Sequence, residues 1–327
     1  MKFKALRVYL DPQLKRSIEI IDETLLPDND VLIEVHYSSL NYKDALSANG
    51  NKGVSKNYPH TPGIDAAGIV VESKDSKWQP GDRVIVTGYD LGMNTFGGFS
   101  EYIKVPSEWI VKCPENLELR DAMCYGTAGF TAALSVEQIV NNVSPDAGEI
   151  LVTGATGGVG SVAIAILSKL GYKVVGASGK PQYEGFLKGI GAERMILRDE
   201  IDDHSGKPLL RSSWAGVIDT VGGNILATAL KSTSYKGHVT CCGNVANHEF
   251  TTSVYPFILK GITLHGIDSV MCDAEKREKI WGLISNEWYI KGFSNAVSEI
   301  GLDDVLEQID LILSGKHLGR TIVNPRK

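Results

Sequence analysis

Apolar and polar positions in the first 120 residues form short strand-like segments separated by turns. Val31–Tyr37, Ala66–Glu72 and Arg83–Thr87 are rich in β-branched residues, and a run containing Pro, Gly or Asp comes before each of them. Short β-branched runs with this punctuation are typical of strands joined by irregular loops. The pattern therefore predicts a strand-rich domain in this part of the chain.

From about Cys124 the pattern changes to strands that alternate with helices. The predicted strands are Ile150–Thr153, Tyr172–Ala177, Met195–Leu197, Trp214–Asp219, His238–Cys242 and Ile262–Ile267. The predicted helices among them are Val159–Leu170, Tyr183–Ile190 and Asn224–Ser232, and the first of these has its apolar residues at the spacing of one helix face. Repeated strand–helix units predict the α/β fold class with a doubly wound parallel sheet.

The last part of the chain has a third pattern, with two predicted helices and a final strand. These elements are Ala274–Ile284, Leu302–Leu313 and Gly319–Val323. We assign them to the strand-rich domain, which makes that domain discontinuous. The predicted organisation is one domain of residues 1–123 and 270–327, and an α/β domain of residues 124–269.

Composition and charge exclude several classes of function. The chain of 327 residues is 43% hydrophobic and has a net charge of −6 from 33 basic and 39 acidic residues. An acidic chain without a dense run of Lys or Arg is poorly suited to nucleic acid or an anionic membrane. No stretch reaches the ~20 apolar residues needed to span a bilayer, and the apolar run at the N-terminus ends too early for a signal peptide. We expect a cytoplasmic protein that binds neither nucleic acid nor membrane.

The five cysteines are scattered, which predicts buried free thiols. A disulfide framework needs an even set in a small secreted chain, and a structural zinc needs closely spaced pairs. Only Cys241 and Cys242 are close in sequence, and adjacent residues of a strand point to opposite faces.

The sharpest local signal is the glycine-rich run from Gly154 to Gly160. It follows one predicted strand and opens an amphipathic helix, and a second strand begins about twelve residues further on. Glycines let the backbone approach a pyrophosphate, and free N–H groups at the helix start then hold the anion. This context predicts a dinucleotide site. Asp219, at the end of a later strand, is interpreted as the cap of the turn that follows it, and its alternative role is to face the cofactor.

The end of the second strand indicates which nicotinamide cofactor binds. NAD-binding proteins usually carry an Asp or Glu there for the ribose 2′-hydroxyl. This chain has Ser178, Gly179 and Lys180 instead, and Arg198 follows the third strand. A hydroxyl and two cations with no carboxylate favour the 2′-phosphate of NADPH.

An ordered set of motifs resembles the medium-chain dehydrogenase/reductase superfamily. Within it, the match is to the zinc-free quinone oxidoreductase-like branch, and most closely to the bacterial acrylyl-CoA reductase group. The motifs that carry the resemblance are Ser38–Ala45, Pro62–Asp65, Gly126–Ala132, Thr153–Gly160, Arg198–Glu200, Trp214–Gly222, Pro256–Leu259 and Gly266–Met271. Together they span nearly the whole chain.

The resemblance implies a GroES-like, mostly β catalytic domain beside a Rossmann domain, with NADPH as cofactor and a homodimer as the assembly. Carried over by position, Thr127 and Thr131 line the nicotinamide side. The other implied cofactor contacts are Tyr42, Gly157, Gly158, Val159, Gly160, Ser178, Gly179, Lys180, Arg198, Asn244, Ile258, Ser269 and Asn324.

The resemblance also bears on metal chemistry. Zinc-dependent alcohol dehydrogenases of the superfamily place a Cys where this chain has Asn41, and a His-Glu pair where it has Ile64 and Asp65. Ile64 has no ligating atom, so we expect no metal site. His60 lies near these positions and is interpreted as a structural or rim residue.

The chemistry that fits a metal-free site is hydride transfer to an acceptor that is already electrophilic, such as an α,β-unsaturated thioester. We predict NADPH-dependent reduction of acrylyl-CoA or another short 2-enoyl-CoA. Tyr42 is the candidate proton donor or polar orienter, and its alternative role is that of a packing aromatic. Asn41 and Asp44 are expected to position the loop. Reduction of a quinone by NADPH is the first alternative, and a non-catalytic NADPH-binding sensor protein is the second.

Overall fold

A computed structural model of the chain describes residues 1–293 and 296–327. The strands are β1 (Lys2–Tyr9), β2 (Lys15–Asp22), β3 (Val31–Ser39), β4 (Asp65–Ser73), β5 (Arg83–Thr87), β6 (Tyr102–Val105), β7 (Ile110–Lys112), β8 (Glu149–Thr153), β9 (Lys173–Ser178), β10 (Arg194–Leu197), β11 (Trp214–Asp219), β12 (Thr233–Cys241), β13 (Thr263–Gly266), β14 (Val297–Gly301) and β15 (Arg320–Asn324). The helices are α1 (Tyr42–Ala48), α2 (Leu119–Asn142), α3 (Gly158–Lys169), α4 (Glu184–Gly189), α5 (Gly223–Ser232), α6 (Tyr255–Lys260), α7 (Ala274–Ser285) and α8 (Val305–Leu313).

These elements divide into two units. Unit 1 comprises Met1–Thr127, Ser269–Asn286 and Lys291–Lys327, and unit 2 comprises Ala128–Asp268 and Glu287–Ile290. The division after Thr127 falls within α2, as does the domain change that the sequence predicts after residue 123. The backbone of Glu287–Ile290 packs in unit 2, where the Tyr289 carbonyl accepts a hydrogen bond of 2.6 Å from the Lys169 ammonium.

Unit 2 is built on one parallel sheet. Its strand order is β10-β9-β8-β11-β12-β13, and every neighbouring pair is parallel. Ile150, Leu151 and Val152 of β8 are all fully buried, as expected for a parallel strand covered by helices on both faces. The predicted doubly wound parallel sheet is confirmed. From β8 the chain adds strands first on one side (β9 and β10) and then on the other (β11, β12 and β13). In such sheets ligands bind where this direction changes, outside the carboxyl ends of the strands.

Unit 1 is mostly β. Its larger sheet has the order β14-β15-β3-β4-β5-β7, with β6 also paired to β3, while β1 and β2 form an antiparallel hairpin of their own. Alternate residues of β3 (Val31, Ile33 and Val35) are fully buried in the core of this sheet. The strand-rich character that the sequence predicts for this region is confirmed.

The C-terminal strand lies inside the larger sheet of unit 1. β15 pairs with β14 in parallel and with β3 in antiparallel orientation, and its residues Ile322 and Val323 are fully buried. The C-terminal strand is therefore an internal strand of the sheet that also contains β3.

Several elements were not predicted from the sequence, notably the hairpin of β1 and β2 and the helices α1 and α2. Residues 122–137 of α2 are all buried, so this helix has no polar face and shows no readable amphipathic period. Helix α8 begins at Val305, after a short 3₁₀ turn over Leu302–Asp304 where the sequence predicts helix. Across the part of the chain that the structure describes, no helix has the length and apolar character needed to cross a membrane.

Candidate functional site

A glycine-rich turn connects β8 to α3 at the carboxyl edge of the parallel sheet. Gly154 has a φ of 58°, and a Cβ atom there would lie 2.3 Å from Oγ1 of Thr220. A Cβ atom at Gly160 would lie 2.5 Å from the carbonyl oxygen of Gly154, so the close approach of turn and helix requires glycine. Gly157 is the N-cap of α3, and Gly158–Gly160 begin the helix. The N–H groups of a first helical turn have no intrahelical acceptor, which suits this turn to a pyrophosphate.

The carboxylate of Asp219 stabilises the neighbouring turn, as the sequence predicts. It accepts hydrogen bonds from the backbone N–H groups of Val221 (3.3 Å) and Gly222 (2.8 Å) and from the Thr153 hydroxyl (2.8 Å). Burial of this carboxyl raises its pKa to about 6. Asp219 therefore holds the end of β11 in place beside the glycine-rich turn.

A recess beside this turn is lined by two cationic side chains. Lys180 and Arg198 both reach it from the ends of neighbouring strands, and no carboxylate is found among the described residues around it. The lining residues are Thr153, Gly154, Thr156, Ala177, Ser178, Gly179, Lys180, Arg198, Ile201, Val221 and Ile225.

The two cations lie close together in this recess. A Cβ atom at Gly179 would lie 3.3 Å from Cζ of Arg198, so the guanidinium rests against the Gly179 backbone. The backbone N–H of Lys180 donates to Oγ of Ser178 at 3.1 Å. Burial and, second, the charge of Arg198 lower the pKa of the Lys180 ammonium. The two positive charges in the recess repel each other, and a bound anion relieves that repulsion. The recess therefore suits a phosphate group next to the adenosine ribose.

In unit 1 the start of α1 presents Tyr42. Its side chain is 41% exposed, and it is the first residue of the helix after the N-cap Asn41. Asp44 completes a capping box by accepting from the backbone N–H of Asn41 at 2.8 Å, and it also accepts from the N–H of Ile64 at 2.8 Å. Burial and, second, the neighbouring charge of Asp65 raise the pKa of Asp44 to about 7. These bonds hold the start of α1 against the segment before β4, in agreement with the positioning role expected of Asn41 and Asp44.

A fully buried carboxylate, Asp65, is the centre of the polar cluster below α1. Thr127 donates to it from both its backbone N–H (2.9 Å) and its hydroxyl (2.5 Å). The amide of Asn41 donates at 2.7 Å, and the hydroxyl of Ser39 also donates. Arg320 donates to Oγ of Ser39 at 2.7 Å and to Oδ1 of Asn41 at 3.2 Å.

The residues of this cluster do not fit a zinc ion. The side chains that converge there are the carboxyl groups of Asp65 and Asp44, the amide of Asn41, hydroxyl groups and the buried guanidinium of Arg320, and these hydrogen bonds include neither an imidazole nor a thiolate. A guanidinium already supplies the positive charge beside Asp65. Among the residues that the structure describes, no group of three or more His, Cys, Asp or Glu side chains could hold a metal ion.

The other predicted contact residues are distributed over both units. Thr131 is buried in α2 of unit 2, Asn244 is exposed after β12, and Ile258 on α6 is 67% exposed. In unit 1, the carbonyl oxygen of Ser269 accepts from Arg277 at 3.3 Å, and Asn324 ends β15. The structure thus brings Ser178, Gly179, Lys180 and Arg198 together with the glycine-rich turn in unit 2. It brings Thr127 together with the N-cap of the Tyr42 helix in unit 1.

The sequence alone does not indicate the roles of Asp65, Ser39 and Arg320. Asp65 and Ser39 appear there only within the motifs Pro62–Asp65 and Ser38–Ala45, and Asp65 also as part of the position where zinc enzymes carry a His-Glu pair. No local pattern indicates Arg320, because it reaches the cluster from the last strand of the chain.

Comparison with known proteins identifies both units. The family model for the alcohol dehydrogenase GroES-like domain matches residues 27–115, and the model for zinc-binding dehydrogenase matches residues 158–286. "Probable acrylyl-CoA reductase AcuI" of Escherichia coli is 42% identical over 314 residues, which cover 96% of this chain and 96% of that protein. "Putative quinone oxidoreductase YhfP" of Bacillus subtilis is 43% identical over 308 residues, which cover 94% of this chain and 93% of that protein.

Solved structures agree with this fold. The yhdH oxidoreductase from Salmonella enterica in complex with NADP has a TM-score of 0.95 and 40% identity, over 98% of this chain and 99% of that chain. The Bacillus subtilis protein yhfP, with NAD bound, has a TM-score of 0.95 and 42% identity, over 99% of each chain. Unit 1 is therefore GroES-like and unit 2 is a Rossmann domain. The chain belongs to the medium-chain dehydrogenase/reductase superfamily of oxidoreductases.

Proposed function

We propose that the enzyme uses NADPH to reduce the C=C bond of a short 2-enoyl-CoA, with acrylyl-CoA as the first substrate to test. The observation that carries the proposal is the 42% identity, across 96% of both chains, with a protein named as an acrylyl-CoA reductase. The cationic recess of Lys180 and Arg198 supports NADPH as the reductant, because these side chains suit a 2′-phosphate.

The predicted cofactor contacts are proposed for each unit separately. The first turn of α3 would bind the pyrophosphate, and Ser178, Lys180 and Arg198 would bind the 2′-phosphate. Thr127 and Thr131 would line the nicotinamide side. When bound, NADPH supplies the hydride that the β-carbon of the enoyl thioester accepts. The remaining predicted contacts are Tyr42, Asn244, Ile258, Ser269 and Asn324.

Two demands of the reaction fall on the protein. Negative charge develops on the thioester oxygen, and a hydrogen-bond donor there lowers the barrier. The α-carbon then takes a proton, and the hydroxyl of Tyr42, a residue that is 41% exposed, is the candidate donor or orienting group. No zinc takes part in this scheme, since the cluster around Asp65 lacks a suitable set of ligands.

The decisive experiment follows the absorbance of reduced nicotinamide with acrylyl-CoA and with benzoquinone, each with NADPH and with NADH. Oxidation that requires both acrylyl-CoA and NADPH supports the proposal. Activity mainly with the quinone supports the alternative of a quinone reductase, which the 43% identity with YhfP favours. Binding of NADPH without turnover of either acceptor would instead indicate a non-catalytic sensor.

The cofactor assignment has its own test in Lys180→Ala and Arg198→Ala. A charge-assisted bond to phosphate is worth about 1.5–3 kcal/mol, so each change should weaken NADPH binding by about 10- to 100-fold and leave NADH binding nearly unchanged. Lys188→Ala is the matched control, because that lysine pairs with Glu184 on the surface of the same unit, outside the recess. An unchanged preference for NADPH over NADH in both variants would refute the assignment.

We further propose that the enzyme acts in the cytoplasm as a homodimer. Apolar side chains on and before α6, including Val254 and Leu259, are 56–63% exposed next to the segment that leads into the edge strand β13. Exposed apolar groups beside an open sheet edge are typical of an interface. Light scattering should give twice the chain mass of 35.4 kDa, and a monomer at micromolar concentration would contradict the proposal.

A further inference from the structure

The carboxylate of Asp65 determines the direction of the hydrogen bonds around it. Its side chain is fully buried, and the groups that face it from Ser39, Asn41 and Thr127 act as donors. An ionised carboxylate can only accept hydrogen bonds. Each hydroxyl that faces it must therefore direct its proton towards it.

This constraint has a specific consequence for Thr127. Its hydroxyl proton lies in the 2.5 Å bond to Oδ1 of Asp65, and its backbone N–H is bound to the same carboxylate. Towards any other group, Oγ1 of Thr127 can then act only as an acceptor. An acceptor of fixed direction matches the amino group of a carboxamide, such as that of nicotinamide.

The same carboxylate also fixes the start of α1. Asn41 donates its amide to Asp65 at 2.7 Å and accepts from Arg320 at 3.2 Å, so its side chain is held at both ends. Asn41 is the N-cap of the helix whose first residue is Tyr42. A shift of Asn41 would be transmitted directly to the Tyr42 backbone.

We propose that Asp65 is a positioning residue for hydride transfer, which fixes the Thr127 hydroxyl as an acceptor for the nicotinamide carboxamide and holds Tyr42 through Asn41. The inference rests on the proposed function, in which Thr127 and Tyr42 lie at the nicotinamide. Asp65 itself touches neither substrate nor cofactor in this scheme, and it acts through these two residues.

The direct test is Asp65→Asn, which preserves the shape of the side chain. An amide can point its NH₂ group at Thr127, which reverses the direction of that hydrogen bond and frees the hydroxyl proton. We expect kcat to fall at least 10-fold, while the Kd for NADPH changes less than threefold because the phosphate-binding residues lie in unit 2. With NADPH deuterated at C4, the primary isotope effect on kcat should rise, since a misplaced nicotinamide makes hydride transfer more rate-limiting. Unchanged kcat and isotope effect in a folded variant would overturn the proposal.

A second pair of variants keeps the test valid if the first change prevents folding. Thr127→Val removes the hydroxyl and keeps the backbone bond to Asp65, whereas Thr127→Ser restores the hydroxyl. We expect a loss of at least 10-fold in kcat for the first and recovery to within threefold of wild type for the second. Thr87→Val is the matched control, because the Thr87 hydroxyl is likewise buried but accepts a hydrogen bond from Arg277 at 2.9 Å instead of donating one to Asp65. This control should lower stability and leave kcat unchanged, and equal kcat for Thr127→Val and Thr127→Ser would overturn the proposal.

The proposed function and the positioning role of Asp65 are contradicted by different results. If the wild type reduces neither acrylyl-CoA nor benzoquinone, the proposed function is wrong. The positioning role is then read from the fluorescence lifetime of bound NADPH, which Asp65→Asn should change while affinity stays constant. If the wild type is active and the variants match it, the positioning role alone is wrong. If NADPH does not bind at all, both are wrong.

Discussion

At the scale of single residues, His60 shows how burial determines a protonation state. Its side chain is 2% exposed, and Nε2 lies 2.8 Å from the carbonyl oxygen of Gly92. Because a carbonyl only accepts, this nitrogen carries the hydrogen. Burial lowers the pKa of the His60 imidazole to about 4. The ring is therefore neutral in the folded protein, and the structural role expected from the sequence is confirmed.

The neutral ring makes a pH-dependent contribution to stability. Between pH 6.5 and about 4 the unfolded chain binds a proton at His60 that the folded chain does not, so stability falls as the pH is lowered through this range. In His60→Gln this contribution is absent. The stability advantage of the wild type over that variant should shrink by about 3 kcal/mol across the range. Urea unfolding at a series of pH values measures it.

The matched control for this prediction is His248→Gln, a change at a side chain that is 78% exposed. Its stability is measured over the same pH series and serves as the baseline for the comparison. Parallel pH curves for wild type and His60→Gln would show that His60 does not titrate differently in the two states.

The residues of the site differ in how far the sequence could predict them. Ser178, Gly179, Lys180 and Arg198 each follow a strand of a recognisable strand–helix series, and the parallel topology alone brings such ends to one edge. Asp65 and Arg320 share Ser39 and Asn41 as hydrogen-bond partners only because the last strand of the chain inserts beside β3. An arrangement of residues so far apart in sequence depends on the complete sheet, and no local pattern contains it.

At the scale of elements, α2 contains a break that shapes the Asp65 cluster. Gly126 has φ 52° and ψ −157°, which are not helical values. A Cβ atom there would lie 2.3 Å from Oγ of Ser39, 2.6 Å from Oδ2 of Asp65 and 2.7 Å from Nη2 of Arg320. The break therefore turns the backbone towards the carboxylate and lets the N–H of Thr127 bind it.

This geometry makes a sharp prediction for Gly126→Ala. The added methyl group needs space that three buried polar atoms occupy, and the positive φ is strained for alanine. We expect the free energy of unfolding to fall by about 2–4 kcal/mol, measured by denaturant titration.

Gly282→Ala provides the matched control, because Gly282 lies within α7 and a Cβ atom there would meet nothing within 4 Å. Alanine favours a helix over glycine, so this variant should gain about 0.5–1 kcal/mol. If Gly126→Ala were as stable as the control variant, the close packing at the break would be wrong.

Predicted and observed elements agree best where strands are bounded by clear turns. The predicted strands Trp214–Asp219 and Arg83–Thr87 have the same bounds in the structure. A turn that contains Gly or Pro lies close to one end of each. The sequence does not predict α2, because this helix is buried on all sides and so has no polar face. The break in α2 depends on side chains from three other segments of the chain. Local signals thus define the Rossmann elements, while the structure around Asp65 depends on long-range packing.

At the scale of the whole molecule, the chain returns to complete its first unit. β15 lies between β14 and β3, and the guanidinium of Arg320 at its start also donates to the carbonyl oxygens of Leu40 and Cys124. The larger sheet of unit 1 therefore combines strands from the first and the last part of the chain. The strands of unit 2, β8–β13, follow one another in the sequence without a strand of unit 1 between them.

Unit 1 and unit 2 each contain a cluster of buried apolar side chains. We therefore expect a mutation in the core of unit 1 to increase hydrogen exchange mainly in that unit. Ile322→Ala removes a fully buried side chain from β15, and such truncations cost about 2–5 kcal/mol. In hydrogen exchange with mass spectrometry, we expect faster exchange in β3, β14 and β15 and little change in β8–β13. Equal acceleration throughout the chain would contradict this expectation.

The proposed binding of the 2′-phosphate by Lys180 and Arg198 has a consequence for how the enzyme distinguishes NADPH from NADH. The advantage of NADPH in that proposal is a charge interaction near solvent, and electrolyte screens such interactions over about 8 Å at physiological ionic strength. The ratio of the affinities for NADPH and NADH then depends on the ionic strength of the solution as well as on the residues of the recess. As salt is added, the affinity for NADPH should fall towards that for NADH, so the enzyme is most selective in dilute buffer and becomes more permissive in concentrated electrolyte.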